Sequence, residues 1–204
     1  THPKDYFYPG ADFLAVFRIW EGGMAIFGAL LFGALGVWYG AKQAGLSFWS
    51  VADALAPGLL IAQGIGRLGN YFNQELYGLP TDLPWGLEIP FGNPAYPAGL
   101  PAGLTFHPTF LYEMIWNFAA AAALIYLGKR FTLQWGKQLA VYFILYSTGR
   151  LWIESIRIDP SEIILGLRVN IWSALIGIAI GVTLLIVQSR RHPGLEPSIW
   201  LKEP

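Results

Sequence analysis

Apolar residues run along this chain in blocks too long for the one-faced helices of a water-soluble domain. Three blocks are clear: residues 24–41 (MAIFGALLFGALGVWYGA), residues 169–188 (VNIWSALIGIAIGVTLLIVQ), and residues 110–127 (FLYEMIWNFAAAAALIYL), the last with Glu113 and Asn117 near its start. Two more carry polar groups: residues 51–65 (VADALAPGLLIAQGI), interrupted at Pro57, and residues 139–157 (LAVYFILYSTGRLWIESIR), with three charges. Roughly 20 apolar residues in a helix cross about 30 Å of hydrocarbon. The pattern therefore predicts an all-α, polytopic helical membrane protein with about five transmembrane helices. Small residues at Gly28, Gly33 and Gly36 suit close helix packing. Residues 66–109, rich in Pro and Gly, predict a long connection between the second and third spans.

Composition sharpens the picture. The 204 residues are 54% hydrophobic and 13% charged, against about 25% charged in soluble domains, and mean hydropathy is +0.45. Thirteen basic residues cancel thirteen acidic ones, so no basic field points to nucleic acid. With no cysteine, disulfides, thiolate metal sites and a cysteine nucleophile of the chain's own are excluded. The opening THPKDYFYPGADF has neither an initiator methionine nor a signal-peptide pattern, and reads as a fragment lacking its N-terminal part. We expect a single integral membrane domain over residues 1–204, with residues 189–204 as a cytoplasmic tail.

Charge position then sets the orientation. Placing Lys42, Lys129, Arg130, Lys137, Arg190, Arg191 and Lys202 in the cytoplasm satisfies the positive-inside rule with alternating spans. Lys4 and Arg18 lie in the opening segment, and Arg67, Arg150, Arg157 and Arg168 fall at outward helix ends. The Pro/Gly-rich connection is then extracytoplasmic, and the polar run GIGRLGNYFNQELYG (residues 64–78) sits at the outer mouth of its helix.

That run carries the candidate chemistry. Arg67 and Asn70 share a helix face, and Asn73 and Glu75 continue the cluster as the helix ends. In the later span Arg150, Glu154 and Arg157 fall at i, i+4 and i+7, along one stripe. A charge inside a transmembrane segment costs roughly 2.5–3.5 kcal/mol on insertion scales, so it is normally paired or functional. Paired guanidiniums suit an anionic ligand, because arginine grips phosphate bidentately. Against this stand plainer roles: Arg67 snorkelling to the interface, Glu154 neutralising a neighbouring arginine, His107 serving the loop before Pro108. Glu113 reads as a partner for one of the arginines. His2 and His192 lie in terminal segments, and no Walker loop, dinucleotide fingerprint, HExxH or GxSxG pattern is present.

Three ordered motifs carry a family resemblance. GRLGNYFNQELYG (66–78), HPTFLYE (107–113) and GRLWIESIRIDP (149–160) resemble those of the bacterial prolipoprotein diacylglyceryl transferases, and IWEGG with ESIRIDP is most similar to the high-GC Gram-positive branch. The similarity runs from FRIWEGGMAIFGAL to LGLRVNIW. Members are seven-span proteins of the bacterial cytoplasmic (inner) membrane, which implies that two N-terminal helices precede this sequence. They move the diacylglyceryl group of phosphatidylglycerol to the lipobox cysteine of a prolipoprotein signal peptide, leaving a thioether and releasing glycerol phosphate. No cofactor and no metal are expected. It implies that Arg67, Arg150, Glu75 and Asn70 act in catalysis and that Arg67, Asn70, Asn73, Glu154, Arg157 and His107 bind substrate, with Arg67 and Arg150 on the phosphate. Phe27 stands where many members have the histidine proposed as thiol base; either His107, Glu75 or water takes that role, or an arginine-lowered thiol pKa suffices, or this branch uses no general base. The alternatives from other classes are a small-anion membrane transporter or channel, which would show an internal repeat, a structural membrane subunit, and another phospholipid-processing enzyme such as a phosphatase, which would show a nucleophilic or metal-binding set.

Overall fold

A computed structural model describes the backbone of residues 26–159 and 161–201, with side chains from residue 32. The described chain is mainly helical: α1 (Ile26–Gln43), α2 (Phe48–Asn73), α3 (Thr109–Phe131), α4 (Lys137–Glu154) and α5 (Val169–Arg191). Two small antiparallel ladders lie in the connections, β1 (Leu87–Glu88) with β2 (Thr105–Phe106) and β3 (Ile163–Ile164) with β4 (Leu167–Arg168). Three helices, α2, α3 and α5, are long and apolar enough to cross a membrane. The described residues fall into two compact units, one up to residue 48 with residues 200–201 and one within residues 49–199. In the first, α1 is followed by a turn in which Leu46 bridges Trp200. The second holds the candidate site.

Pro57 does not interrupt the second span as the sequence suggested. Helix α2 runs unbroken through it. Proline removes the N–H that the carbonyl four residues back needs, and here that carbonyl belongs to Asp53. Gln138 Nε2 of α4 donates to Asp53 O at 3.1 Å and fills the vacancy. The Asp53 carboxylate in turn accepts the backbone N–H groups of Gly136 and Leu139, each at 2.8 Å. Those are the N-cap and third positions of α4, whose own N-cap offers no side-chain bond. An aspartate on one helix thus caps the next, satisfying donors that an apolar surrounding would leave unpaired. Gly136 takes φ +81°, and the space a Cβ would need there is filled by the Trp49 ring.

Packing between the helices uses small residues. Helices α4 and α5 run against each other, and a Cβ on Gly181 would lie 2.7 Å from Ala140 O. The core between α2, α3 and α4 is built from Ala56, Leu60, Ala120, Ala121, Leu124 and Tyr142. Outward-facing positions stay apolar, among them Ile65, Ile115, Tyr126, Ile176 and Ile180. A water-soluble helix would put polar residues there, so the exposed faces fit a hydrocarbon solvent.

The segment after α2 is ordered by backbone pairing. Gly78 N–H donates to His107 O at 2.9 Å and Leu79 N–H to Ile156 O at 2.8 Å, so residues 77–79 lie between the approach to α3 and the end of α4. Tyr77, Ile89 and Phe106 form a small satellite core under this connection. Burial, with the charge of Tyr96 second, pushes the Tyr77 phenol above its usual pKa, and Tyr77 Oη donates to Ala95 O at 2.5 Å.

Replacing Asp53 by Ala removes two capping acceptors at once. A loss of about 1–3 kcal/mol is expected, read as a lowered unfolding midpoint of the full-length protein in nanodiscs, while Asp53→Asn, which keeps one acceptor, should fall between.

Candidate active site

The polar run of residues 64–73 is helical, forming the last turns of α2. Arg67 Nη1 donates to Asn70 Oδ1 at 3.3 Å, one turn further along. The chain then leaves the helix through Gln74 and Leu76, both with positive φ, at 52° and 56°. This reversal turns Glu75 back, so that its Oε1 accepts from Asn70 Nδ2 at 3.4 Å and from Asn73 Nδ2 at 3.1 Å. Asn73 itself is exposed and reaches only Glu75.

Helix α3 supplies the carboxylate that joins this cluster to α4. Glu113 is 4% exposed. Its Oε2 pairs with Arg67 Nε, and its Oε1 accepts from Arg150 Nη1 at 2.8 Å. Each guanidinium keeps donors unspent: Arg67 Nη2 and Arg150 Nε have no partner among the described residues. Arginine carries five N–H donors in one plane, so the pair can hold Glu113 and a second anion together.

Beyond Arg150 lies a second buried carboxylate, Glu154, 1% exposed. Its Oε2 faces Arg150 Nη2 at 3.3 Å and Arg157 Nη1 at 3.7 Å. Its Oε1 accepts from Arg168 Nε at 2.8 Å and Asn170 Nδ2 at 3.0 Å. The sequence put Arg157 on the same helical stripe as Arg150, but α4 stops at Glu154. Arg157 is instead placed by the turn that follows and by its bridge to Gly78. Burial disfavours its charge, yet the hydrogen bond and charge of Asp159, with Glu154 and Glu113 behind, outweigh this and raise its pKa.

Of the residues singled out from sequence, Arg67, Asn70, Glu75, Arg150, Glu154 and Arg157 form one connected network through Glu113. Asn73 sits at its rim. His107 takes part in a separate group, its Nδ1 3.1 Å from Tyr112 Oη, which also accepts from Trp85 Nε1 at 2.9 Å. The Phe27 side chain lies outside the described residues. Sequence reasoning passed over Arg168 and Asn170. The signal was an arginine at the start of α5, where the helix dipole repels positive charge. Arg168 also donates to Arg157 O at 3.0 Å and Asp159 O at 2.9 Å, pinning the turn that carries Arg157. Among the described residues no three His, Asp or Glu side chains converge to hold a metal.

The family model for prolipoprotein diacylglyceryl transferase matches residues 5–187. The chain belongs to this family. It is 57% identical over 208 residues to a phosphatidylglycerol–prolipoprotein diacylglyceryl transferase of Leifsonia xyli, covering 98% of this chain and 62% of that protein. With the enzyme of the same name from Streptomyces griseus it shares 48% identity, over 94% of this chain and 57% of that one. With the one from Cutibacterium acnes the identity is 47%, over 94% and 64%. This chain thus spans less than two thirds of the length of the transferases it resembles. These relatives belong to the high-GC Gram-positive bacteria, the branch that IWEGG and ESIRIDP indicated.

Glu113→Gln removes one partner from two buried ion pairs. The expected cost is about 3–5 kcal/mol of stability, measured by thermal unfolding in nanodiscs; Glu75→Gln, which touches only asparagine amides, should cost far less.

Proposed function

We propose that this chain carries the catalytic centre of a phosphatidylglycerol:prolipoprotein diacylglyceryl transferase. The observation that supports it most is the convergence of Arg67 and Arg150, from helices far apart in sequence, on one buried carboxylate with donors left over. The donor lipid is an anionic phosphodiester. Its phosphate would bind the open edges of the two guanidiniums, with Asn70 and Glu75 holding Arg67 or the glycerol hydroxyls and Glu154 holding Arg150. Arg157 would support the same anion from the turn beyond α4, Asn73 the rim, and His107 the loop side of the substrate path.

In the reaction the lipobox cysteine thiolate attacks the glyceryl carbon. A carbon–sulfur bond forms, the carbon–oxygen bond to phosphate breaks, and glycerol phosphate leaves with the electron pair. Negative charge grows on the departing phosphate, where fixed guanidiniums stabilise it most. The same positive field favours thiolate over thiol, from an ordinary pKa of about 8.5. The nucleophile comes from the prolipoprotein, so a chain with no cysteine is chemically sufficient.

The setting follows from charge and helix order. All five helices would span the bacterial cytoplasmic membrane, as part of the seven typical of the resemblance. Lys42, Lys129, Arg130, Lys137, Arg190 and Arg191 lie at the ends of α1, α3 and α5 and the start of α4, the placement expected of cytoplasmic ends. The site then faces outward, residues 74–108 are extracytoplasmic, and residues 189–204 form a cytoplasmic tail. The family match gives the anion-transporter alternative no support.

Arg67→Gln and Arg150→Gln should each lower transfer to a lipobox peptide by about 10²–10³-fold. The assay follows peptide mass and released glycerol phosphate with full-length protein in phosphatidylglycerol nanodiscs. Wild-type turnover by folded Gln variants would remove the phosphate role, and no thioether product from folded wild type would remove the transferase reading.

A further inference from the structure

One helical turn below the Arg67–Glu113–Arg150 layer lies a second polar layer whose hydrogen bonds are incomplete. Asn117 follows Glu113 by four residues on α3, on the same face and about 6 Å deeper at 1.5 Å per residue. It is 3% exposed and lines the cleft formed with Glu113, Trp116, Tyr146, Gly149 and Arg150. Its side-chain amide makes no hydrogen bond among the described residues. Opposite it, on α2, a Cβ on Gly64 would lie 3.4 Å from Asn117 Cβ, which puts the neighbouring Gln63 at the same depth. Gln63 Nε2 donates to Tyr142 Oη at 2.9 Å, but Gln63 Oε1 is buried without a partner among the described residues.

Unpaired amides are costly in an apolar interior. Gln63 Oε1 is out of reach of solvent. A structural asparagine would be expected to find a partner on the facing helices. Asn117 instead lines the cleft together with Arg150. A group delivered by substrate would satisfy its amide.

We infer that Asn117 binds an ester carbonyl of the donor lipid, making this layer a subsite for the acyl-ester end of the diacylglyceryl group. The inference rests on the transferase reading above. In a glycerophospholipid the ester carbonyls lie a few bonds below the phosphate, toward the hydrocarbon. With the phosphate on Arg67 and Arg150, those carbonyls reach the depth of Asn117. The carbonyl oxygen accepts, and Asn117 Nδ2 donates. A half-turn of the Gln63 amide, which lets Tyr142 Oη donate rather than accept, offers a second donor at the same level. The subsite would distinguish ester-linked lipid from ether-linked lipid with an identical headgroup.

The test uses full-length protein in nanodiscs with two donors, diacyl phosphatidylglycerol and its dialkyl ether analogue, each with a lipobox peptide. Wild type should transfer from the ester donor about tenfold more efficiently, the value of one hydrogen bond of about 1.4 kcal/mol. Asn117→Leu should lose that factor on the ester donor, treat both lipids alike, and leave the peptide KM unchanged. Equal use of the two donors by wild type, or full discrimination by folded Asn117→Leu, would overturn the subsite. Displacement of fluorescent phosphatidylglycerol by each lipid gives a readout independent of turnover. Selective ester binding without transfer would keep the subsite and sink the transferase reading; transfer without selectivity would do the reverse.

Discussion

A guanidinium packed among apolar helices needs a counter-charge within contact, and in this chain one carboxylate answers for two of them. Glu113 pairs with Arg67 through one oxygen and Arg150 through the other. Because those arginines sit on α2 and α4 and the glutamate on α3, satisfying the charges fixes the relative rotation of three helices. A hydrophobic contact tolerates sliding; a two-sided ion pair in a low dielectric does not. The rest of the network extends from that point, through Asn70 to Glu75 on one side and through Glu154 to Arg157, Arg168 and Asn170 on the other.

The same demand for polar satisfaction shapes the other end of the helices. Pro57 leaves Asp53 O without its helical partner, and Gln138 supplies one. The Asp53 carboxylate supplies in trans the cap that α4 lacks. Helix α4 is therefore fixed at its start by Asp53 and near its end by Glu113. Arg150 projects from a helix restrained at both ends, the condition for a preorganised anion site. The incomplete pairing around Asn117 stands apart from this economy, which is why it points to substrate.

Much of the fold was legible because hydrophobic length is a local property. The apolar blocks announced the helices, and three motifs announced the family. The helix through Pro57 was not legible, since the compensating donor lies on α4, far along the chain. Nor was the true end of α4, where the backbone turns at Glu154 and pairs with the segment after α2. In the site, the arginines, Asn70, Glu75 and Glu154 stood out as polar residues in apolar surroundings. Arg168 was passed over because its partners are set by the fold-back of β3 on β4.

The sequence by itself determined the apolar surroundings, the helices and the family, since burial length and the three motifs are written residue by residue. Only the tertiary structure decided that Glu113 serves both arginines, that Asp53 caps α4, that His107 bonds to Tyr112 outside the arginine network, and that Asn117 has no hydrogen-bond partner among the described residues. Each of these depends on which helix faces which, and at what height. That follows from packing summed over the whole bundle, with small residues such as Gly64 and Gly181 letting backbones approach, and no local stretch of sequence encodes it.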